Sequence, residues 1–104
     1  MNTVNKKLFM SLSDIELMAL CIYAEARGEP YSGKCAVAWV VLNRVMRYPR
    51  YGEGIKGVIL RPYQFSCFLE ADPNFKKLVE LAKTPYLIDE GYLEIADGCI
   101  DDYI

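Results

Sequence analysis

The chain has 104 residues, 53% of them apolar and 25% charged, a balance that fits one globular domain with a modest core and excludes a disordered segment. Twelve basic residues against fourteen acidic ones give a net charge of −2, and no segment is dominated by lysine and arginine, which argues against a nucleic-acid partner. Histidine is absent, so Ser-His-Asp and Cys-His catalysis are excluded and the commonest zinc ligand is missing. A carboxylate mechanism survives that exclusion.

At the N-terminus Lys6 and Lys7 precede Leu8-Phe9-Met10. That apolar piece is too short for a signal-peptide core, and Ser11, Ser13 and Asp14 break the apolar pattern after it. Residues 1–12 therefore read as an N-terminal extension and residues 13–104 as the domain. No uninterrupted apolar stretch reaches transmembrane length.

Ser13 has the position of a helix cap, with Glu16 as its capping-box partner. From Ile15 to Ala24 the chain is apolar around most of a helical circumference, which predicts a buried helix. Gly28, as a left-handed cap, and Pro30 then end it. Near that end stands Glu25, on the side of the helix that carries Met18, Cys21 and Ile22. A carboxylate on an apolar face loses water, its pKa rises, and it becomes able to hold a proton and donate it. The plainer alternative pairs Glu25 with a cation such as Arg27 or Arg44 and gives it a structural role.

Ser32 is the expected cap of a second helix, over about Gly33 to Arg47. Its unbroken run from Cys35 to Leu42 suits a buried strand by composition, but the apolar pattern resumes at Val45-Met46 and only Pro49 stops it, a helical length. Asn43 and Arg44 close it, either touching substrate or bonding backbone and a carboxylate. Pro49 to Gly57 reads as a loop. Val58-Ile59-Leu60 and the rough alternation of Gln64 to Phe68 predict a small β hairpin. Asp72 and Pro73 have cap and first-turn positions for a third helix to about Ala82. A fourth starts near Thr84-Pro85 and stops at Gly98, weakened by Gly91 by about 1 kcal/mol relative to alanine. The expected fold is mainly α, an α+β domain with one hairpin.

Cys21, Cys35, Cys67 and Cys99 are too far apart in sequence for a paired metal motif, and no cofactor or metal is expected. Their even number is compatible with free thiols or with disulfides.

Three motifs in order carry a family resemblance: Tyr23-Ala24-Glu25-Ala26-Arg27-Gly28-Glu29-Pro30-Tyr31, the stretch Val37 to Val45 with Trp39, Asn43 and Arg44, and Gln64-Phe65-Ser66. From about Ile15 to about Gly98 the chain resembles the SleB-type cell-wall hydrolases, the spore-cortex-lytic enzymes and their relatives in bacteria and phages. The resemblance implies a lysozyme-like fold and peptidoglycan glycan strands as the substrate. It implies lytic transglycosylase chemistry, with Glu25 as acid and then base and 1,6-anhydromuramic ends as the product. Gln64 and Ser66 would face the sugar from the hairpin, with Tyr23 and Glu29 as further substrate contacts. The alternatives are a muramidase that uses water, with Glu29 or Asp72 assisting, and an inactive glycan-binding or assembly module. Members usually continue past the last helix, so the domain reads as shortened at its C-terminal side, which leaves it inactive, differently closed, or completed by a partner chain or a second copy. Action at the cell wall or spore cortex then implies an upstream export signal removed from this chain or a phage-type release route.

Overall fold

The computed structural model describes residues 1–104 as six α-helices and no strands. They are α1 (Thr3–Met10), α2 (Asp14–Ala26), α3 (Tyr31–Val45), α4 (Gly54–Ile59), α5 (Phe75–Lys83) and α6 (Glu90–Tyr103). Two short 3₁₀ turns, Ser66–Phe68 and Pro85–Leu87, lie between them.

The buried helix α2 is the centre of the packing, in contact with α3, α4, α5 and α6. Its capping box forms as the sequence predicts. The Glu16 amide donates to Ser13 Oγ at 3.0 Å, and the Ser13 amide donates to Glu16 Oε1 at 2.9 Å. Leu17 through Ile22 are all fully buried. Six consecutive buried residues leave no wet face, because neighbouring helices cover this one on every side. Helices α3 and α6 pack against α2 and against each other.

Helix α1 lies within the residues read as an extension, and it packs on α5. Phe9 and Leu12 are buried. Phe9 meets Phe68 edge-on at 5.2 Å between ring centroids and Phe75 at 6.1 Å. The Asn2 amide donates to Glu70 Oε1 at 3.1 Å, and Lys56 Nζ donates to the Met10 carbonyl at 3.0 Å. These bonds tie both ends of α1 to the rest of the chain.

The hairpin expected over Val58 to Phe68 does not form. Val58 and Ile59 belong to α4, and Ser66 to Phe68 form a 3₁₀ turn. Gly52 and Gly54 have positive φ, at 125° and 69°, and turn the chain so that α4 drops Ile55, Val58 and Ile59 into the core. A six-residue helix with two glycines leaves a periodicity too short to distinguish from that of an extended run.

Smaller differences concern helix ends. Helix α3 begins two residues before Gly33, with Pro30 at the cap position in place of Ser32. Asp72 accepts the Asn74 amide at 2.8 Å, and α5 itself begins at Phe75. The Pro85 segment is a 3₁₀ turn, and α6 opens separately, capped by Asp89, which accepts the Gly91 amide at 2.8 Å. Gly98 does not end α6. Ala96, Cys99 and Ile100 bury one continuous stripe past it, and that burial outweighs glycine's weak helix preference. Gly28 lies outside the left-handed region, and α2 ends at Arg27 in a right-handed conformation.

Candidate active site

The last turn of α2 carries Tyr23, Glu25 and Arg27, and each side chain goes a different way. Tyr23 is half-buried and meets Tyr92 of α6 edge-on at 5.6 Å. The Arg27 guanidinium lies 5.1 Å from the Tyr23 ring centroid, and its Nη1 donates to Asn74 Oδ1 at 2.8 Å. This bond ties the end of α2 to the start of α5.

Glu25 is exposed. The burial expected from its helical side does not extend to it. Met18, Cys21 and Ile22 on that side are covered, but α2 ends one residue after Glu25, so no further turn of helix overhangs its carboxylate. Beneath it lies the thiol of Cys67, 1% exposed. Burial, then the charge of Glu25 and a hydrogen bond to its carboxylate, and then the charge of Asp72, push the Cys67 thiol far up from its ordinary value. Cys67 therefore stays protonated beside Glu25. Cys21 is raised too, by burial first and then by the nearness of Cys67 and Glu25, with Arg44 acting in the opposite direction. The charges of Glu25 and Asp72 thus act on Cys67, and those of Glu25 and Arg44 on Cys21.

Arg44 is stacked between aromatic rings, 5.5 Å from the Tyr51 centroid and 5.3 Å from that of Phe65, and its buried Nη1 has no hydrogen-bond partner. It fixes Phe65, and so the Gln64-Phe65-Ser66 motif, against α3. Gln64 is half-buried in a turn closed by its amide on the Arg61 carbonyl at 3.2 Å, and Ser66 is exposed beside Cys67. Tyr63, with φ 65°, turns the chain into this motif. Glu29 is exposed after the end of α2 and leans on the first turn of α3, where a Cβ placed on Gly33 would meet the Glu29 Cβ at 2.8 Å. Asn43 is exposed on α3.

Tyr23 lines a cavity of about 140 Å³ with Leu20, Lys77, Leu87, Asp89 and Tyr92. Glu25 lines none of the four principal cavities and faces open surface. No group of three or more Cys, Asp or Glu side chains is arranged to hold a metal ion. No helix is long and apolar enough to cross a membrane.

Sequence reading missed Cys67 as the neighbour of Glu25. The signal was its place directly after Gln64-Phe65-Ser66, since a motif that approaches the site brings the next residue with it.

These features define an all-helical domain that holds one solvent-facing carboxylate over a buried thiol. The chain belongs to the cell wall hydrolase family, whose model matches residues 28–97. That span contains Glu29, Arg44, Gln64 and Ser66 and begins three residues after Glu25. Similar proteins are the spore cortex-lytic enzymes of Halalkalibacterium halodurans, Oceanobacillus iheyensis and Bacillus subtilis. The first is 50% identical over 55 residues, 53% of this chain and 16% of that protein. The second is 41% identical over 78 residues, 71% of this chain and 28% of that protein. The third is 46% identical over 57 residues, 55% of this chain and 18% of that protein. The chain thus spans less than a third of the length of these curated relatives. No solved structure matches it.

Proposed function

We propose that this domain cuts the glycan strands of peptidoglycan by lytic transglycosylase chemistry, with Glu25 as the acid and then the base. Membership of the cell wall hydrolase family and the relatives' name, spore cortex-lytic enzyme, support the substrate class. The observation that carries the catalytic assignment is the position of Glu25. It is the exposed carboxylate near the end of a helix whose middle is fully buried, accessible to a polymer, with a buried thiol beside it.

In this reading Glu25 gives its proton to the oxygen that leaves the muramic acid C1 as positive charge builds on that sugar. The same carboxylate then takes the proton from the C6 hydroxyl, whose oxygen closes on C1. The product is a 1,6-anhydromuramic end, formed without water. Ser66 and Gln64 flank the glycan on one side, with Tyr23 and Glu29 as further contacts. A lysozyme-like arrangement, with the segment from α4 to Phe68 as one wall of a sugar cleft, belongs to the same proposal, as does action at the cell wall.

One observation favours a second reading. Asp72 lies close enough to Cys67 for its charge to act on that thiol, as Glu25's does. Two carboxylates whose charges both reach one thiol suit a muramidase in which Asp72 activates water, although Asp72 already accepts the Asn74 amide.

Mass spectrometry of muropeptides released from purified peptidoglycan, before and after borohydride reduction, separates the two. Anhydro ends, one water lighter and not reducible, are expected. Reducible ends, together with equal losses from Asp72→Asn and Glu25→Gln, would instead establish the hydrolytic reading. Glu25→Gln should fold and lose on the order of 10²- to 10⁴-fold in rate; a variant with wild-type turnover would remove Glu25 from the mechanism.

A further inference from the structure

Tyr63 is the one residue other than glycine with a positive φ, at 65°. It stands third in the turn Arg61-Pro62-Tyr63-Gln64, closed by the Gln64 amide on the Arg61 carbonyl at 3.2 Å. A turn with proline second and a left-handed residue third favours glycine at that third position. A tyrosine there costs backbone energy, and the fold recovers little from its side chain, which is 84% exposed. Tyr86 is as open, at 81%, but only Tyr63 is held against the preference of its backbone.

The ring stands at the rim of a recess of about 160 Å³ between α1 and this turn. Leu60, Phe68 and Leu69 form its apolar part, and Lys6 and Arg61 supply its charge. No carboxylate lines it, in a chain whose net charge is −2. Arg61 donates from Nη1 to the Arg50 carbonyl, which uses one of the five donors of its guanidinium.

We propose that Tyr63, Lys6 and Arg61 form a subsite for an acidic N-acetyl sugar of the bound strand. The ring takes the apolar face of the pyranose, and the two cations meet the carboxylate of its lactyl group. This rests on the glycan reading of the substrate given above. That reading brings the strand along Gln64 and Ser66, and Tyr63 directly precedes Gln64. Tyr63 is four residues from Cys67, the thiol beside Glu25, so the two Cα atoms lie within about 15 Å of each other. A strand of a few sugars reaches from one to the other. Of the two alternating sugars only muramic acid carries a carboxylate. The cations therefore select which sugar enters the recess, and that choice sets which of the two kinds of glycosidic bond lies over Glu25.

The test is a titration of the isotope-labelled full chain, followed by two-dimensional NMR. The probe is the disaccharide N-acetylglucosaminyl-N-acetylmuramic acid, whose only glycosidic bond is not of the kind the proposed reaction cuts. Di-N-acetylchitobiose, which lacks the carboxylate, is the control. The amide signals of Lys6, Tyr63 and Gln64 should move with the probe, and the sugar-ring protons should shift upfield over the tyrosine. The control should bind about twofold to fivefold more weakly, as should the probe to Lys6→Gln. Tyr63→Gly should melt no lower than the wild type, because the turn suits glycine. It should weaken the probe about fourfold to tenfold, the effect of burying one face of such a ring. Probe shifts confined to other residues, a control that binds as tightly as the probe, or undiminished binding by Lys6→Gln or Tyr63→Gly overturns the proposal. So does a clearly lower Tm for Tyr63→Gly, which would make the ring part of the fold. If neither sugar moves these signals while peptidoglycan still yields anhydro ends, the subsite falls and the reaction stands; if the shifts hold and no ends are released, the reaction falls and the subsite stands.

Discussion

Replacing Phe9 with alanine tests whether the first twelve residues are part of the folding unit. Phe9 is fully buried and packs edge-on against Phe68 and Phe75, at 5.2 and 6.1 Å between centroids. Removing a buried phenyl ring typically costs about 3–5 kcal/mol, because the transfer energy is lost and a cavity remains. Two edge-to-face partners place Phe9 toward the upper end of that range. For a domain of this size each kcal/mol lowers Tm by about 4–8 °C, so Phe9→Ala should melt at least about 12 °C below the wild type. Calorimetry and urea unfolding are the assays. Val4, on the same helix but 75% exposed, is the control, and Val4→Ala should stay within about 0.5 kcal/mol. A Phe9→Ala loss below about 1 kcal/mol would show that α1 is an appendage and that its packing contributes little.

The glycines divide sharply. Gly52→Ala should destabilise by about 2 kcal/mol or more, since its φ is 125° and a Cβ would meet the Gly57 carbonyl oxygen at 2.6 Å. Gly98→Ala, inside α6 with open space around it, should stabilise by up to about 1 kcal/mol; urea midpoints of the two variants check both signs. In alkali, the raised thiols of Cys21 and Cys67 predict stability that is complete below about pH 9 and falls as pH rises. The reason is that the unfolded thiols release their protons first, so above that pH the unfolded state binds fewer protons than the folded one. Urea unfolding from pH 7 to 10.5 should show this decline, and Cys67→Ala should flatten it; a wild-type curve that does not bend would contradict the burial of these thiols.

The legible parts of the fold were those with long patterns. The capping box at Ser13 and Glu16, the buried run from Leu17 to Ile22 and the helical length of the Val37–Val45 stretch were all readable, because the first is a specific local motif and the other two lie in sustained apolar runs. The segment from Gly52 to Phe68 was not readable. Its form depends on two positive-φ glycines and on where α2 and α3 leave room for Ile55, Val58 and Ile59, and a short apolar run encodes neither. At the site, the sequence singled out Glu25 but put it on a covered face. Helical side alone predicts burial only where the helix continues on both sides of a residue, and α2 ends one residue later. For Arg44 the sequence offers a substrate contact or a carboxylate partner, and the structure packs it against two aromatic rings. Residue type indicates that a guanidinium needs company, but tertiary packing decides which kind.

The exposure of Glu25 changes the demand on the substrate. A buried acid loses its water when the protein folds; an exposed one can lose it only when something binds over it. Removing water favours the protonated form of a carboxyl group, the form that a general acid must supply. In the proposed reaction the glycan strand itself provides this cover, so binding energy from sugars remote from the scissile bond would be used to prepare the acid. Turnover should therefore depend on strand length as well as affinity. Defined glycan oligomers extending several sugars to each side of the cut should show higher kcat than a fragment that spans only the scissile linkage, because the short fragment leaves the open surface around Glu25 wet. Affinity lost without any change in kcat would mean that the remote sugars contribute uniform binding only. That result would refute the idea that the substrate completes the site, and a segment of protein outside these 104 residues would then have to cover Glu25.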